Sequence, residues 1–228
     1  MHIVLSLGGS LVNTENGIDT VFLNQIRQIL EKSEHNFAIV TGGGKAARKY
    51  ANEVRLKGGN EFEADEAAIV ATKENAKAVI DVFSAGKSNI CKKVCLDFDN
   101  ARKEAKKFRF IAMGGTIPGI TTDADAALLA EAINSRRLVN ISNVDAIYDS
   151  NPKENKNAKK YGSLDYSTLI NLACRSDTRK AGENFVFDIL ACKIIARSKI
   201  EAHFVSGKNL NDLENAINGK NHNGTIVK

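Results

Sequence analysis

Apolar positions along the chain fall into two periods. Short runs rich in Val and Ile at residues 2–7, 37–40, 110–113, 138–141 and 202–205 are near-continuous rather than alternating, the pattern of strands buried on both faces. Between them the spacing changes to three and four. Val21, Phe22, Ile26, Ile29 and Leu30 form one stripe, and residues 64–80, 123–133 and 189–195 read as further helices with Ala-rich faces suited to close packing. Strands that alternate with helices predict an α/β fold whose mainly parallel sheet is covered on both sides. Neither a linker-like composition shift nor an internal repeat breaks the pattern, so residues 1–228 are read as one domain. The charged stretch PKENKNAKK at 152–160 reads as a solvated loop.

Three glycine clusters punctuate this pattern, each at the carboxyl end of a predicted strand: Gly8-Gly9-Ser10, Gly42-Gly43-Gly44 and Gly114-Gly115-Thr116. Open parallel sheets bind ligands at that edge. Glycine lets the main chain approach a phosphate closely, and a helix that starts directly afterwards turns its free N–H groups and positive dipole end toward the anion. The second cluster runs into Lys45, Ala46, Ala47 and Arg48, a helix opening that adds two cations. The third leads through Pro118-Gly119 and Thr121-Thr122 into the helix at 123–133. Steric need at a strand-to-helix turn would explain one such cluster; three at equivalent positions point to a phosphate-rich ligand, or to two. Gly86-Lys87-Ser88 is not a P-loop, because GxxxxGK needs glycine where Asp81 stands and no strand leads into it. Neither GGSLVN nor GGGKAA completes GxGxxG, which disfavours a dinucleotide site.

A hydrophobic content of 43% allows a sizeable core and excludes disorder. The net charge of +5 admits a nucleic-acid partner, but Lys and Arg are spread along the chain with no nucleic-acid motif, so an enzyme of anionic small molecules fits as well. Cys91, Cys95, Cys174 and Cys192 lack a CxxC pair, which favours reduced thiols and a cytoplasmic location. No run of about 18 apolar residues occurs, and the Gly-rich start is not a signal peptide, so no membrane association is expected. His2, His35, His203 and His222 lack ligand spacing, and no protein-ligated metal is expected.

The segments LGGSL, VTGGGKAARKYA, MGGTIPGITTDADAALLAE, ISNVDAIYDSNP, ACKIIARS and HNGTIV, in that order over nearly the whole chain, resemble the archaeal-type UMP kinases of the amino-acid-kinase superfamily. The resemblance implies a three-layer αβα sandwich on a mainly parallel eight-stranded sheet, transfer of the γ-phosphate of ATP to UMP with Mg2+, and a homohexamer. By position it places Gly9, Ser10 and Gly44 at the ATP phosphates and Gly43 at the UMP phosphate, with Arg48 between the nucleotides. It gives Gly115, Thr116, Gly119, Ile120, Thr121 and Thr122 to the wrapping of UMP, and Asp65 to its ribose. Ser142, Asn143, Tyr148 and Asn151 fall in the adenine and ribose segment. Lys193 and Asp123 complete the catalytic set, Asp123 orienting cations or capping its helix. Asp65 could otherwise be an exposed acid opening a helix, and Thr121-Thr122 could equally cap the next one. Magnesium would be held by phosphate oxygens and water.

Four positions depart from the family pattern. Ser6 stands where the relatives carry Lys or Asp, Ala146 replaces a Gly, Asn151 replaces an Asp, and Ile189 replaces the proline of DPLAAK. Ala146 is tolerated only if its φ is negative. Competing readings are a kinase of the same fold acting on carbamate, an amino acid or another small acceptor, and a weakened nucleotide-binding regulator supported by Ser6 and Asn151.

Overall fold

The computed structural model describes residues 1–152, 154–176 and 187–228. Lys153, in the charged stretch at 152–160, lies outside them.

The chain opens with β1 (His2–Leu7), a single turn α1 (Gly9–Val12), and the ribbon β2 (Asn13–Thr14) and β3 (Gly17–Ile18). Helix α2 (Thr20–Lys32), β4 (Asn36–Thr41), α3 (Gly44–Leu56), α4 (Glu61–Ala85), α5 (Phe98–Ala105) and β5 (Phe110–Met113) complete the first half. The second half runs through α6 (Thr122–Ala132), β6 (Arg137–Ser142), a ribbon of β7 (Ile147–Tyr148) and β8 (Lys160–Tyr161), then β9 (Ser163–Leu164) and α7 (Tyr166–Ser176). It ends with α8 (Ile189–Arg197), β10 (Glu201–Ser206), α9 (Leu210–Ile217) and β11 (Thr225–Val227).

Seven strands form the main sheet in the order β5-β4-β1-β6-β10-β11-β9, one fewer than the resemblance implies. The first five are mutually parallel, β11 runs antiparallel to β10, and β9 is parallel to β11. Alternate residues of the parallel strands feed two cores. Ile3, Leu5 and Leu7 of β1 pack with Leu23, Ile26 and Leu30 of α2 and Val79, Ile80 and Phe83 of α4. Val4 faces the other way, with Leu129 of α6, Leu169 of α7 and Ile194 of α8. Helices on both faces make the αβα sandwich, and burial on both faces explains why the strands read as continuous apolar runs.

The expected α2 stripe is rotated slightly. Leu23, Ile26 and Leu30 are buried whereas Val21 is 67% exposed, because the cap made by Asp19 to the Phe22 N–H fixes where the first turn begins. Gly86-Lys87-Ser88 ends α4 instead of following a strand, consistent with its exclusion as a P-loop. Among the described residues no helix is long and apolar enough to cross a membrane.

The fold brings His203 and His222 together. The Gly224 N–H donates to His222 Nδ1 at 3.0 Å, so His222 carries its hydrogen on Nε2 and donates to His203 Nδ1 at 2.8 Å. His203 in turn donates from Nε2 to Glu201 at 2.7 Å, and Arg137 also binds Glu201. Burial, with help from His222 and Arg137 and against Glu201, pushes His203 down to about 4. The folded state therefore resists protonation that the unfolded chain accepts: the stability is intact above pH ~6.5 and is lost as pH falls toward 4, by on the order of 3 kcal/mol. Melting curves of wild type and His203→Gln are expected to converge across that window, with the wild type losing more. Their difference reports His203 together with its partners Glu201 and His222, while Asp123 and Asp125, raised and common to both proteins, cancel. Parallel curves would refute the prediction.

Candidate active site

The five parallel strands present their carboxyl ends at one edge. From β1 the chain winds outward to β4 and β5, then returns to the other side of β1 for β6 and β10, so the winding reverses between β1 and β6. A crevice opens at such a reversal. The turns after β1, β4, β5 and β6 surround it.

The first two turns interlock through main chain. The Gly42 N–H donates to the Leu7 carbonyl and the Gly8 N–H to the Ile141 carbonyl, each at 2.9 Å. A β-carbon on Gly9 would stand 2.3 Å from both the Gly42 oxygen and the Gly44 nitrogen, and Gly44 itself has φ +61°. Neither position accepts a side chain. Helix α3 starts at Gly44 with no side chain capping its first turn, leaving its opening amides to solvent or a ligand. Lys45 and Arg48 project from the same turns, both exposed; Lys45 pairs with Glu15 on the β2–β3 ribbon. Ser10, Lys45, Asn143 and the polar residues 13–16 line a cleft of about 340 Å³, where Asn143 Nδ2 donates to Ser10 Oγ at 2.9 Å.

The third turn is held on two sides. From α4, Asp65 accepts the Gly119 N–H at 2.9 Å and Thr72 Oγ1 accepts the Gly115 N–H at 2.8 Å. From α6, the buried Asp125 accepts both the N–H and the hydroxyl of Thr116, at 3.2 and 2.5 Å. Burial pushes Asp125 up to about 6, while the bonds from Thr116 pull the other way. Thr121 caps α6 by accepting the Ala124 N–H, Thr122 lies beside Gly42, and Ile120, just before them, is partly buried.

Asp123 closes the crevice. Its Oδ1 accepts Ser6 Oγ from β1 at 2.8 Å and Asn140 Nδ2 from β6 at 3.2 Å. Burial raises it to about 6, the Ser6 and Asn140 bonds oppose this, and Asp188 at the start of α8 adds to the rise. Ser6 thus satisfies Asp123 with a neutral donor.

Residues 1–206 match the amino acid kinase family. The chain belongs to the amino acid kinase family. It is 40% identical over 227 residues to the uridylate kinase of Archaeoglobus fulgidus, and 40% identical over 231 residues to that of Methanocaldococcus jannaschii; in both cases all of this chain and all of the relative are covered. The crystal structure of the Archaeoglobus fulgidus uridylate kinase superposes with a TM-score of 0.86 at 36% identity, again over the full length of both chains.

Within this amino acid kinase fold the structure gathers Gly9, Ser10, Gly43, Gly44, Asn143, Thr122 and Asp123 about the crevice, with Arg48 on α3 and Asp65, Gly115, Thr116 and Gly119 on the α4 side. Others stand apart. Lys193 is exposed on α8 and pairs with no described residue, whereas Asp188 approaches Asp123. Ser142 accepts the Val144 N–H in a local turn, and Tyr148 donates to Asp145, which Lys160 also binds. Asn151 bonds Glu154. These contacts organise the β7–β8 ribbon beyond β6. Ala146 is buried with a negative φ, so its methyl is accommodated without strain. Sequence reasoning missed Thr72, Asn75 and Asp125. The signal available was their spacing from Asp65 and Asp123 on helices otherwise rich in Ala.

Proposed function

We propose that this chain is a uridylate kinase that transfers the γ-phosphate of ATP to UMP, giving UDP for pyrimidine nucleotide synthesis. Identity of 40% over the full length of enzymes of that name carries the reading. The interlocked glycine turns fit it, since a cradle that excludes any β-carbon leaves room for phosphate against main-chain amides.

In this account Gly9, Ser10 and Gly44 hold the donor phosphates, Gly43 the acceptor phosphate, and Arg48 stabilises the charge that spreads over the moving phosphoryl group. Gly115, Thr116, Gly119, Ile120, Thr121 and Thr122 wrap UMP. Ser142, Asn143, Tyr148 and Asn151 bound the adenosine side. Asp65 keeps one carboxylate oxygen on Gly119 and offers the other to the acceptor ribose. The acceptor phosphate is already ionised, so Asp123 abstracts no proton; it ties β1 to β6 beneath the phosphates and orients cations there. Lys193, which faces solvent on α8, is retained in the catalytic set on the family resemblance alone. Mg2+ would be held by phosphate oxygens and water, where it neutralises charge on the donor. The family resemblance adds a single-domain chain assembling as a cytoplasmic homohexamer.

The alternative of a weakened regulator loses support at two of the departures, because Ser6 bonds Asp123 and Asn151 bonds Glu154. A coupled assay with ATP and UMP, CMP, AMP, carbamate or N-acetylglutamate decides: turnover with UMP alone is expected, while nucleotide binding without turnover of any acceptor would favour the regulator. Asp65→Asn keeps an acceptor for Gly119 but loses the charge-assisted bond. UMP affinity, measured by titration calorimetry, should fall about tenfold or more with ATP affinity unchanged; unaltered UMP binding would remove Asp65 from the acceptor pocket.

A further inference from the structure

Helix α4 carries Asp65, Thr72 and Asn75 at spacings of seven and three, along one face. Each grips the main chain of a glycine turn. Asp65 and Thr72 hold the third, and Asn75 Nδ2 donates to the Gly42 carbonyl in the second at 2.8 Å.

The Asn75 contact differs energetically from the other two. Asn75 is 0% exposed, and its Oδ1 has no hydrogen-bond partner among the described residues. The gain from its one hydrogen bond is offset by the cost of a buried acceptor left without a partner, so Asn75 adds little or nothing to stability. What it fixes is a direction. Gly42 and Gly43 both lack a β-carbon, so the peptide between them can turn over with little steric resistance. A trans peptide points its C=O and N–H to opposite sides. With the Gly42 carbonyl drawn onto α4, the Gly43 N–H is turned away from α4, next to the uncapped amides that open α3.

We propose that Asn75 is a positioning residue for the acceptor phosphate: by holding the Gly42 carbonyl against α4 it keeps the Gly43 N–H aimed at the anion. It touches no reacting atom. The identity of the phosphate's carrier rests on the uridylate kinase reading, whereas the geometry itself requires only an anion at the second turn.

The test uses the full chain with Asn75→Leu and Asn75→Asp, and three measurements: melting temperature, titration of the Gly43 and Gly44 amide resonances with inorganic phosphate, and steady-state kinetics. Asn75→Leu should melt near the wild type yet bind phosphate at Gly43 at least about fivefold more weakly. Its KM for UMP should rise about tenfold while that for ATP stays within about twofold. In Asn75→Asp only the protonated acid can donate to Gly42, so phosphate affinity relative to wild type should fall as pH rises, a signature that simple packing would not produce. A folded Asn75→Leu with wild-type phosphate affinity, or with equal losses for both nucleotides, overturns the proposal. If Asn75→Leu fails to fold, the Asn75→Asp series decides, and a flat ratio across pH overturns it. If the wild type does not phosphorylate UMP while phosphate binding still depends on Asn75, the functional reading fails and the positioning role stands.

Discussion

Replacing Gly9 with alanine is expected to lower kcat/KM by about a hundredfold or more, and to lower the melting temperature by several degrees. The added β-carbon would fall 2.3 Å from the Gly42 carbonyl oxygen and the Gly44 nitrogen, far inside contact distance. Both neighbours are main chain, so no flexible side chain can swing clear. The second turn must move instead, and it is pinned by its bond to Leu7 and by Asn75. Overpacking of this kind costs about 1–3 kcal/mol. The larger loss is catalytic, because displacing the phosphate-facing amides by an ångström misaligns two reactants at once. A thermal melt together with steady-state kinetics checks both effects. An alanine variant with native activity would mean that the two turns do not need their close approach.

Arg48→Ala should reduce kcat by about 10²–10³-fold with little change in melting temperature. Arg48 is exposed on α3, one turn after the uncapped start of the helix, and it pairs with no described residue. No described residue uses its charge, so removing it should leave stability alone. Its neighbour Lys45 is engaged by Glu15, which leaves Arg48 as the more available cation. Arg48→Lys should recover part of the loss, since it restores the charge without the planar fork. Native kcat in a folded Arg48→Ala protein would remove Arg48 from the reaction.

The parallel strands were legible because both of their faces are buried, which leaves a continuous apolar signature; all five predicted strands match β1, β4, β5, β6 and β10 to within a residue at each end. Strands β9 and β11 have two and three residues, too few for any period to show, and their addition beyond β10 depends on tertiary contacts. The glycine clusters were legible because three recur at equivalent sheet ends, which steric need at a single turn does not explain. That the first two clusters interlock was not, since 33 residues separate Gly9 from Gly42 and no local rule joins them. Thr72, Asn75 and Asp125 were given no role because nothing in an Ala-rich helical pattern marks which polar residue meets a glycine turn. His203 and His222 sit 2.8 Å apart although 19 positions separate them, and only the β10–β11 pairing brings them together.

Phosphoryl transfer between two nucleotides requires two anionic berths that adjoin one another across the crevice between β1 and β6. A single molecule carrying adenosine and uridine at the ends of one pentaphosphate chain probes that adjacency. It should compete with ATP and with UMP and bind at least about a hundredfold more tightly than either, because the second end binds at high effective concentration. Competition with only one nucleotide, or affinity no better than that of ATP alone, would contradict it.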